Sequence, residues 1–325
     1  MSLLRSGFAV ASFTLLSRIF GLLRELCLAQ VFGASSYADC VNVALKLPNL
    51  FRRIFSEGAL AAVFVPLYSK KRISSPKQAE EFTNKVFSGL LYLLLVFCIL
   101  MQLFMPQIML ILAPGFTKYP EKFQLAVLLS RITMPYLLFI SLSALIGGVM
   151  NTIDKFKAFA ATPIILNIGI IIGCYIYVDY NLKPIITAIA ILISGIAQLA
   201  FMYYSLRKEE ISITLTANII SQDTKYLLKQ MGPATLSNGI MQINLFISNS
   251  LASFIDGAVS ILAYAERLYQ LPLSLIGTTF STIMLPKLSK LYNNKDIAAA
   301  NKTQEDAIKL AFYISTPCSV GIYLL

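Results

Sequence analysis

Nine stretches of this chain are too long and too apolar for a water-soluble fold: residues near 7–33, 36–66, 85–113, 123–150, 158–178, 184–205, 226–254, 257–286 and 307–325. A helix needs about 20 mostly apolar residues to cross about 30 Å of hydrocarbon. A membrane barrel would instead show segments of about ten residues with alternating polarity, and the sequence has no such pattern. Helices close their own backbone hydrogen bonds, which lipid cannot do for them. The predicted fold is therefore all-α, a polytopic transmembrane helical bundle. Composition supports the same conclusion. Of 325 residues, 57% are hydrophobic and 13% charged, against about 25% charged in soluble domains. A disordered chain is excluded too, because such chains are poor in apolar residues.

The first stretch has the length of a signal peptide between Phe8 and Leu16, with Arg5 ahead of it. Arg18, Arg24 and Glu25 follow at once and the apolar run then resumes, so it reads as a retained span. Basic residues set the direction. With the N-terminus in the cytoplasm, seventeen of the 27 Lys and Arg fall in inner loops: Arg5, Lys70, Lys71, Arg72, Lys77, Lys85, Lys155, Lys157, Arg207, Lys208, Lys225, Lys229, Lys287, Lys290, Lys295, Lys302 and Lys309. Only Lys118, Lys122 and Lys183 fall outside. This is a positive-inside bias, and it accounts for the +11 net charge by topology and anionic lipid rather than by nucleic acid. The five cysteines (Cys27, Cys40, Cys98, Cys174, Cys318) form no CxxC pair, and the chain has no His. No disulfide framework, metal site or cofactor is expected. After Lys309 the sequence stops in mid-span, so a fragment with missing downstream spans is expected.

The second and eighth spans end alike, FVPLYSKK at 64–71 and MLPKLSKL at 284–291, with Pro66, Ser69 and Lys70 repeated at Pro286, Ser289 and Lys290. A shared helix-exit signal explains this as well as a true repeat does. If it is a repeat, six spans separate the copies, so both enter from the same side, as in transporters built of two parallel lobes. The expected division is a first six-span lobe at 1–208, a cytoplasmic linker at 209–224 and the incomplete start of a second lobe at 225–325.

Seven basic residues remain, all within spans: Arg18, Arg24, Lys46, Arg52, Arg53, Arg131 and Arg267. Each costs about 2.5–3.5 kcal/mol at a helix centre on insertion scales. Five of them share the first two spans with Glu25, Asp39 and Glu57. Arg18 and Glu25 lie on one helix face, Asp39, Lys46 and Arg53 on another, and Arg53–Glu57 is an i,i+4 pair. Gly21, between Arg18 and Arg24, gives the first helix a place to bend. Neutralisation within the bundle or snorkelling to the interface is one explanation, favoured for Arg131. For Arg18, Arg24 and Arg52 the acids are too few, and a cavity lined by surplus guanidinium suits a phosphate or diphosphate. In the seventh span Ser237, Met241, Asn244 and Ser248 form one row, with Asn238, Gln242 and Asn249 beside it. Such a stripe faces either a hydrated cavity or neighbouring helices. Arg267, beside Glu266, would contribute from the second lobe.

SRIFGLLRE (17–25), VFGASSYADC (31–40), KLPNLFRRIFSEGA (46–59), APGF (113–116), KQMGPA (229–234) and YAERLYQLP (264–272) resemble the MurJ/MviN lipid II flippases of the MOP exporter superfamily. The resemblance implies a two-lobed transporter with a central cavity in the bacterial inner membrane. It would export the lipid-linked peptidoglycan precursor, lipid II, by alternating access. The family's functional residues match here as Arg18, Arg24, Asp39, Arg52 and Arg267. Glu25, which many members have as Asp, and Arg53 join them as candidate substrate contacts. Ser237, Asn238, Gln242, Asn244 and Asn249 are the candidate cavity lining. Glu266 also stands for Asp, and Gln270 for an acid in some members. Some members carry a sodium-binding Asp in the seventh span; this chain has no acid between Lys229 and Asp256, so sodium coupling is not carried over. Lipid II, membrane lipids and other cell-wall synthesis proteins are the expected partners, and no enzymatic step is expected. Among alternatives, an exporter of another anionic polyprenyl-diphosphate-linked saccharide fits the same arginines. A drug exporter would favour an acidic cavity. A membrane enzyme on polyprenyl diphosphates would need clustered acids for Mg²⁺, and there is no DxD or DDxxD. A scaffold would not need basic residues in its spans.

Overall fold

The computed structural model describes the backbone of residues 2–53, 61–180, 184–270, 284, 288, 291–292 and 296–324, and the side chains of these apart from 2–11, 14, 61–62, 177, 179–180 and 232–241. Among the described residues there are helices and no strand. They are α1 (Ser2–Phe32), α2 (Ser36–Arg52), α3 (Ala61–Ser74), α4 (Pro76–Leu103), α5 (Met105–Leu112), a 3-10 helix at Pro114–Lys118, α6 (Pro120–Thr133), α7 (Tyr136–Asn151), α8 (Phe156–Tyr180), α9 (Ile185–Arg207) and α10 (Gln222–Ala252). Residues 258–270 follow as α11, and α12 spans Ile297–Leu324.

Pro76–Leu103, Pro120–Asn151, Phe156–Ile176, Ile185–Arg207 and Ile297–Leu324 are long and apolar enough to cross a membrane. α1, at 31 residues, has the length but carries Arg18, Arg24 and Glu25. The chain is a multi-pass membrane protein. Proline divides two predicted spans. The third breaks at Phe104, before Pro106, and the fourth at Met134–Pro135, where the ring removes an N–H from the ladder. The second is α2 and α3 on either side of 54–60, so Glu57 lies outside the described residues, as do Pro286, Ser289 and Lys290 of the sequence repeat. The helix of the ninth predicted span, α12, starts at Ile297, well before its apolar run. Its first turns carry Asn301, Lys302, Glu305 and Asp306, because helical hydrogen bonding continues where the apolar stretch has not yet begun.

The chain divides into two compact units, Met1–Ser260 and Ile261–Leu325. In the first, α8 packs between α1 and α9, α9 lies on α7, and α2 packs against α6. Lipid tails are as apolar as Leu, so helices associate in membranes through close packing and polar links. α8 carries Gly169-x-x-x-Gly173 and α9 carries Ala190-x-x-x-Ser194. A Cβ at Gly173 would lie 2.8 Å from the Ala190 methyl, and one at Gly169 would overlap the Ser194 hydroxyl. Gln198 Nε2 donates to the Thr162 carbonyl at 2.7 Å, and Thr133 Oγ1 donates to the Ala44 carbonyl at 2.7 Å. Ser35 caps α2 by accepting from the Ala38 amide, and Ser221 and Thr224 form a capping box at α10. The segment between α9 and α10 is extended and stitched to α4. Asn84 donates to Thr214 Oγ1 at 2.9 Å and accepts from the Thr214 amide at 3.0 Å, and Ser88 Oγ accepts from the Thr216 amide. In the second unit α12 is largely exposed.

Candidate functional site

Two polar centres lie within the first unit. One is on α1. Arg24 and Glu25 are both buried, at 5% and 8% exposure, and pair through Nη2 and Oε1. Nη1 donates to Asn167 Oδ1 on α8 at 2.9 Å. Glu25 and Asn167 therefore orient Arg24. Asn167 was not legible there: a single Asn in the apolar run of α8 carries no pattern. Its only signal is its polarity in the middle of a span. Arg18 is half-buried on α1, and at the far end of α2 Arg52 is half-buried and Arg53 exposed.

The second centre lies at the opposite end of α2. Asp39 is 0% exposed and thirteen residues before Arg52, which is about 20 Å along a helix. It does not orient the arginines. Lys122 of α6 donates to its Oδ2 at 2.7 Å, the Gly257 amide to Oδ2 at 2.9 Å, and the Ser260 amide and hydroxyl to Oδ1 at 2.9 and 2.7 Å. The carboxylate thus caps the first turn of α11 from another helix, meeting amides left without intrahelical acceptors and the positive end of the dipole. Lys122 also reaches Asp256 Oδ1 at 2.5 Å, and Ser36 Oγ donates to the same oxygen at 2.8 Å. Asp256 is solvent-facing, and the Lys122 ammonium, helped by Ser36, holds its carboxyl below the ordinary aspartate range.

Glycines make this latch possible. Gly257 has φ +78°, and a Cβ there would lie 2.6 Å from the Ala34 carbonyl, so an L side chain is excluded twice. Gly115, from APGF, presses on the Ser253 backbone so closely that a Cβ would overlap it, and its amide donates to Ser253 Oγ at 2.9 Å. Phe116 beside it is fully buried, with the Lys122 ammonium 4.4 Å from its ring centre. Lys122, counted as an outer-loop lysine from sequence, is one of the most buried charges in the unit, at 6% exposure. The i,i+3 and i,i+4 rules act within one helix, so a sequence reading could not join residues 39, 122 and 256.

Along α2, Lys46 donates to Asn249 of α10 at 2.9 Å. The polar stripe of α10 is therefore engaged with a neighbouring helix at Asn249, while Gln242 is half-buried and Asn244 exposed. The Ser237 and Asn238 side chains lie outside the described residues. At the other end of α10, Lys71 of α3 pairs with Asp223 at 2.7 Å. α10 is held at both ends. Arg267 is exposed in the second unit.

Arg24 lies in SRIFGLLRE, Asp39 in VFGASSYADC and Gly115 in APGF, three of the segments that carry the resemblance. The family model described as lipid II flippase MurJ matches residues 28–325. The chain belongs to the lipid II flippase MurJ family. A probable lipid II flippase MurJ of Rickettsia prowazekii (strain Madrid E) is 50% identical over 325 residues, covering 100% of this chain and 64% of that protein. A second, from Rhizobium tropici, is 37% identical and is covered over 62% of its length. The chain thus spans less than two-thirds of the curated relatives it matches. Among solved structures, a lipid II flippase MurJ in an inward closed conformation superposes with a TM-score of 0.81 at 32% identity, over 97% of this chain and 65% of that one. A multidrug resistance MATE transporter of the MOP superfamily, inward-facing, superposes with a TM-score of 0.67 at 20% identity, over 94% of this chain and 71% of that one, which shows a common fold. The MurJ family model begins after Arg18, Arg24 and Glu25; the Rickettsia and Rhizobium relatives extend the match across them.

Proposed function

We propose that this chain works in a lipid II flippase of the bacterial inner membrane, moving the diphosphate-linked sugar–peptide head from the cytoplasmic to the outer leaflet without breaking a covalent bond. The N-terminus is placed in the cytoplasm by the bias of basic residues. In this reading 1–208 is the first lobe, 209–224 the linker and 225–325 the start of the second. The observation that carries it is the buried Arg24, held by Glu25 and Asn167 within the helical bundle. A guanidinium is a costly group in lipid, and its fork matches phosphate oxygens bidentately. Arg18, Arg52 and Arg53 extend the positive field along α1 and α2, and Arg267 remains a proposed substrate contact from the second unit.

Asp39 acts in this account as part of a latch rather than as a direct substrate ligand. With α1 rising from the cytoplasm, the latch of Asp39, Lys122, Asp256 and Ser260 closes the outer end, while Lys71–Asp223 lies at the inner end. Alternating access requires these two ties to give way in turn. An inside-negative potential, about 2.3 kcal/mol per charge per 100 mV, holds an empty cationic site inward and favours outward release of the anion. The test is lipid II binding to the full chain in nanodiscs. Arg24→Ala loses about 1.5–3 kcal/mol of charge-assisted bonding, or about 10–100-fold in affinity. Unchanged affinity in a well-folded Arg24→Ala protein would contradict the assignment. Equal binding of other polyprenyl-diphosphate saccharides would move it to a broader exporter.

A further inference from the structure

We infer that Asn167 is a positioning residue for Arg24, fixing the direction of its guanidinium to the α1 backbone one turn before Gly21. The inference rests on the proposed role of Arg24 in gripping phosphate. Asn167 is 5% exposed and divides its amide between two points seven residues apart on α1. Its Oδ1 accepts from Arg24 Nη1 at 2.9 Å, and its Nδ2 donates to the Ser17 carbonyl at 3.2 Å. Guanidinium only donates and a carbonyl only accepts, so one amide orientation alone satisfies both partners. The Ser17 carbonyl is the one that an α-helix offers to the Gly21 amide. The Asn167 amide also lies over Gly21: a Cβ there would lie 3.6 Å from Nδ2. A methyl would just fit, and a larger side chain would push the amide away.

The chemistry separates Asn167 from Glu25. Glu25 neutralises Arg24 and competes with an incoming anion. Asn167 is neutral, so it aims the guanidinium while leaving the positive charge for the ligand. Any movement of α1 about Gly21 is carried to Arg24 through the same amide. Aspartate cannot substitute, because it would set an oxygen against the Ser17 carbonyl and a second carboxylate near Glu25.

The test uses the full chain in lipid nanodiscs with two readouts, binding of purified lipid II and deuterium uptake over 17–25. Asn167→Leu keeps the volume and removes both bonds; Asn167→Asp keeps only the acceptor facing Arg24. Asn167→Leu is expected to weaken binding about tenfold, the loss of one charge-assisted hydrogen bond. Asn167→Asp, which keeps that bond, is expected to weaken binding by setting a second carboxylate beside Arg24 in competition with the anion, and both are expected to speed exchange over 17–25. Gly21→Val, which displaces the amide without altering it, should reproduce both effects, whereas Gly21→Ala should not. Arg24→Ala should weaken binding with exchange at the unaltered level, because the Asn167–Ser17 bond survives. Unaltered exchange over 17–25 in folded Asn167→Leu and Gly21→Val proteins would overturn the inference. Unaltered binding in Arg24→Ala would instead overturn the phosphate-grip reading, and the exchange data would still decide on Asn167.

Discussion

Asp39 has no solvent to fall back on: it is fully buried and accepts four hydrogen bonds. Truncating it leaves Lys122 buried with half its compensation and the first amides of α11 without acceptors. Breaking a buried pair in this way costs about 3–5 kcal/mol, so Asp39→Ala should shift the latch toward open by about 100-fold or more. Spin labels at the exposed positions 37 and 255 should report a longer distance in that variant. Asp256 is the contrasting case. It also pairs with Lys122, but its side chain is 54% exposed, and water screens the pair, so Asp256→Asn should change the equilibrium by less than about 1 kcal/mol. Its carboxyl is held below the ordinary range, so its contribution is present above that range and is lost as pH falls through the lowered value. The label distance should therefore stay constant from about pH 8 to about pH 5 and lengthen only under stronger acid.

The α8–α9 pair depends on glycine and other small residues rather than on large apolar side chains. Gly173→Leu would drive a side chain into Ala190 and the Thr187 backbone. Overpacking of this kind costs about 1–3 kcal/mol or more; thermal unfolding in detergent should show a clear drop for Gly173→Leu and little change for Ile172→Leu, which faces outward. The helices themselves were legible in the sequence because lipid demands long apolar runs, and α8 and α9 match their predicted spans within a few residues. Arg24 and Glu25 were each legible for the same reason, since a charge inside an apolar run stands out, but the sequence set Glu25 on one face with Arg18 and did not show its pairing with Arg24. The breaks at Phe104 and Pro135 were missed because hydropathy reads through a proline. The latch was missed because its members are 83 and 217 residues apart along the chain from Asp39 to Lys122 and Asp256, and only tertiary packing joins them. Lys122 looked like a loop lysine because no local pattern marks a lysine that folds inward.

Across the molecule, the proposed transport cycle asks one helix to change partners. α10 is tied to α3 by Lys71–Asp223 at one end and, through the turn after it, to α2 and α6 at the other. A substrate that compensates Arg24 has to be coupled to release of the outer tie, so grip and latch are expected to fail differently: Arg24 variants in binding, Asp39 variants in the distribution of states. The most direct test of the whole account uses cells depleted of their own flippase and carrying the full chain. A membrane-impermeant enzyme that cleaves lipid II only at the outer face is added, and product is measured for the unaltered protein and for Arg24→Ala. The account predicts cleavage with the unaltered protein and its loss with Arg24→Ala. Intact lipid II despite good expression of the unaltered protein, or equal cleavage with both, would contradict it.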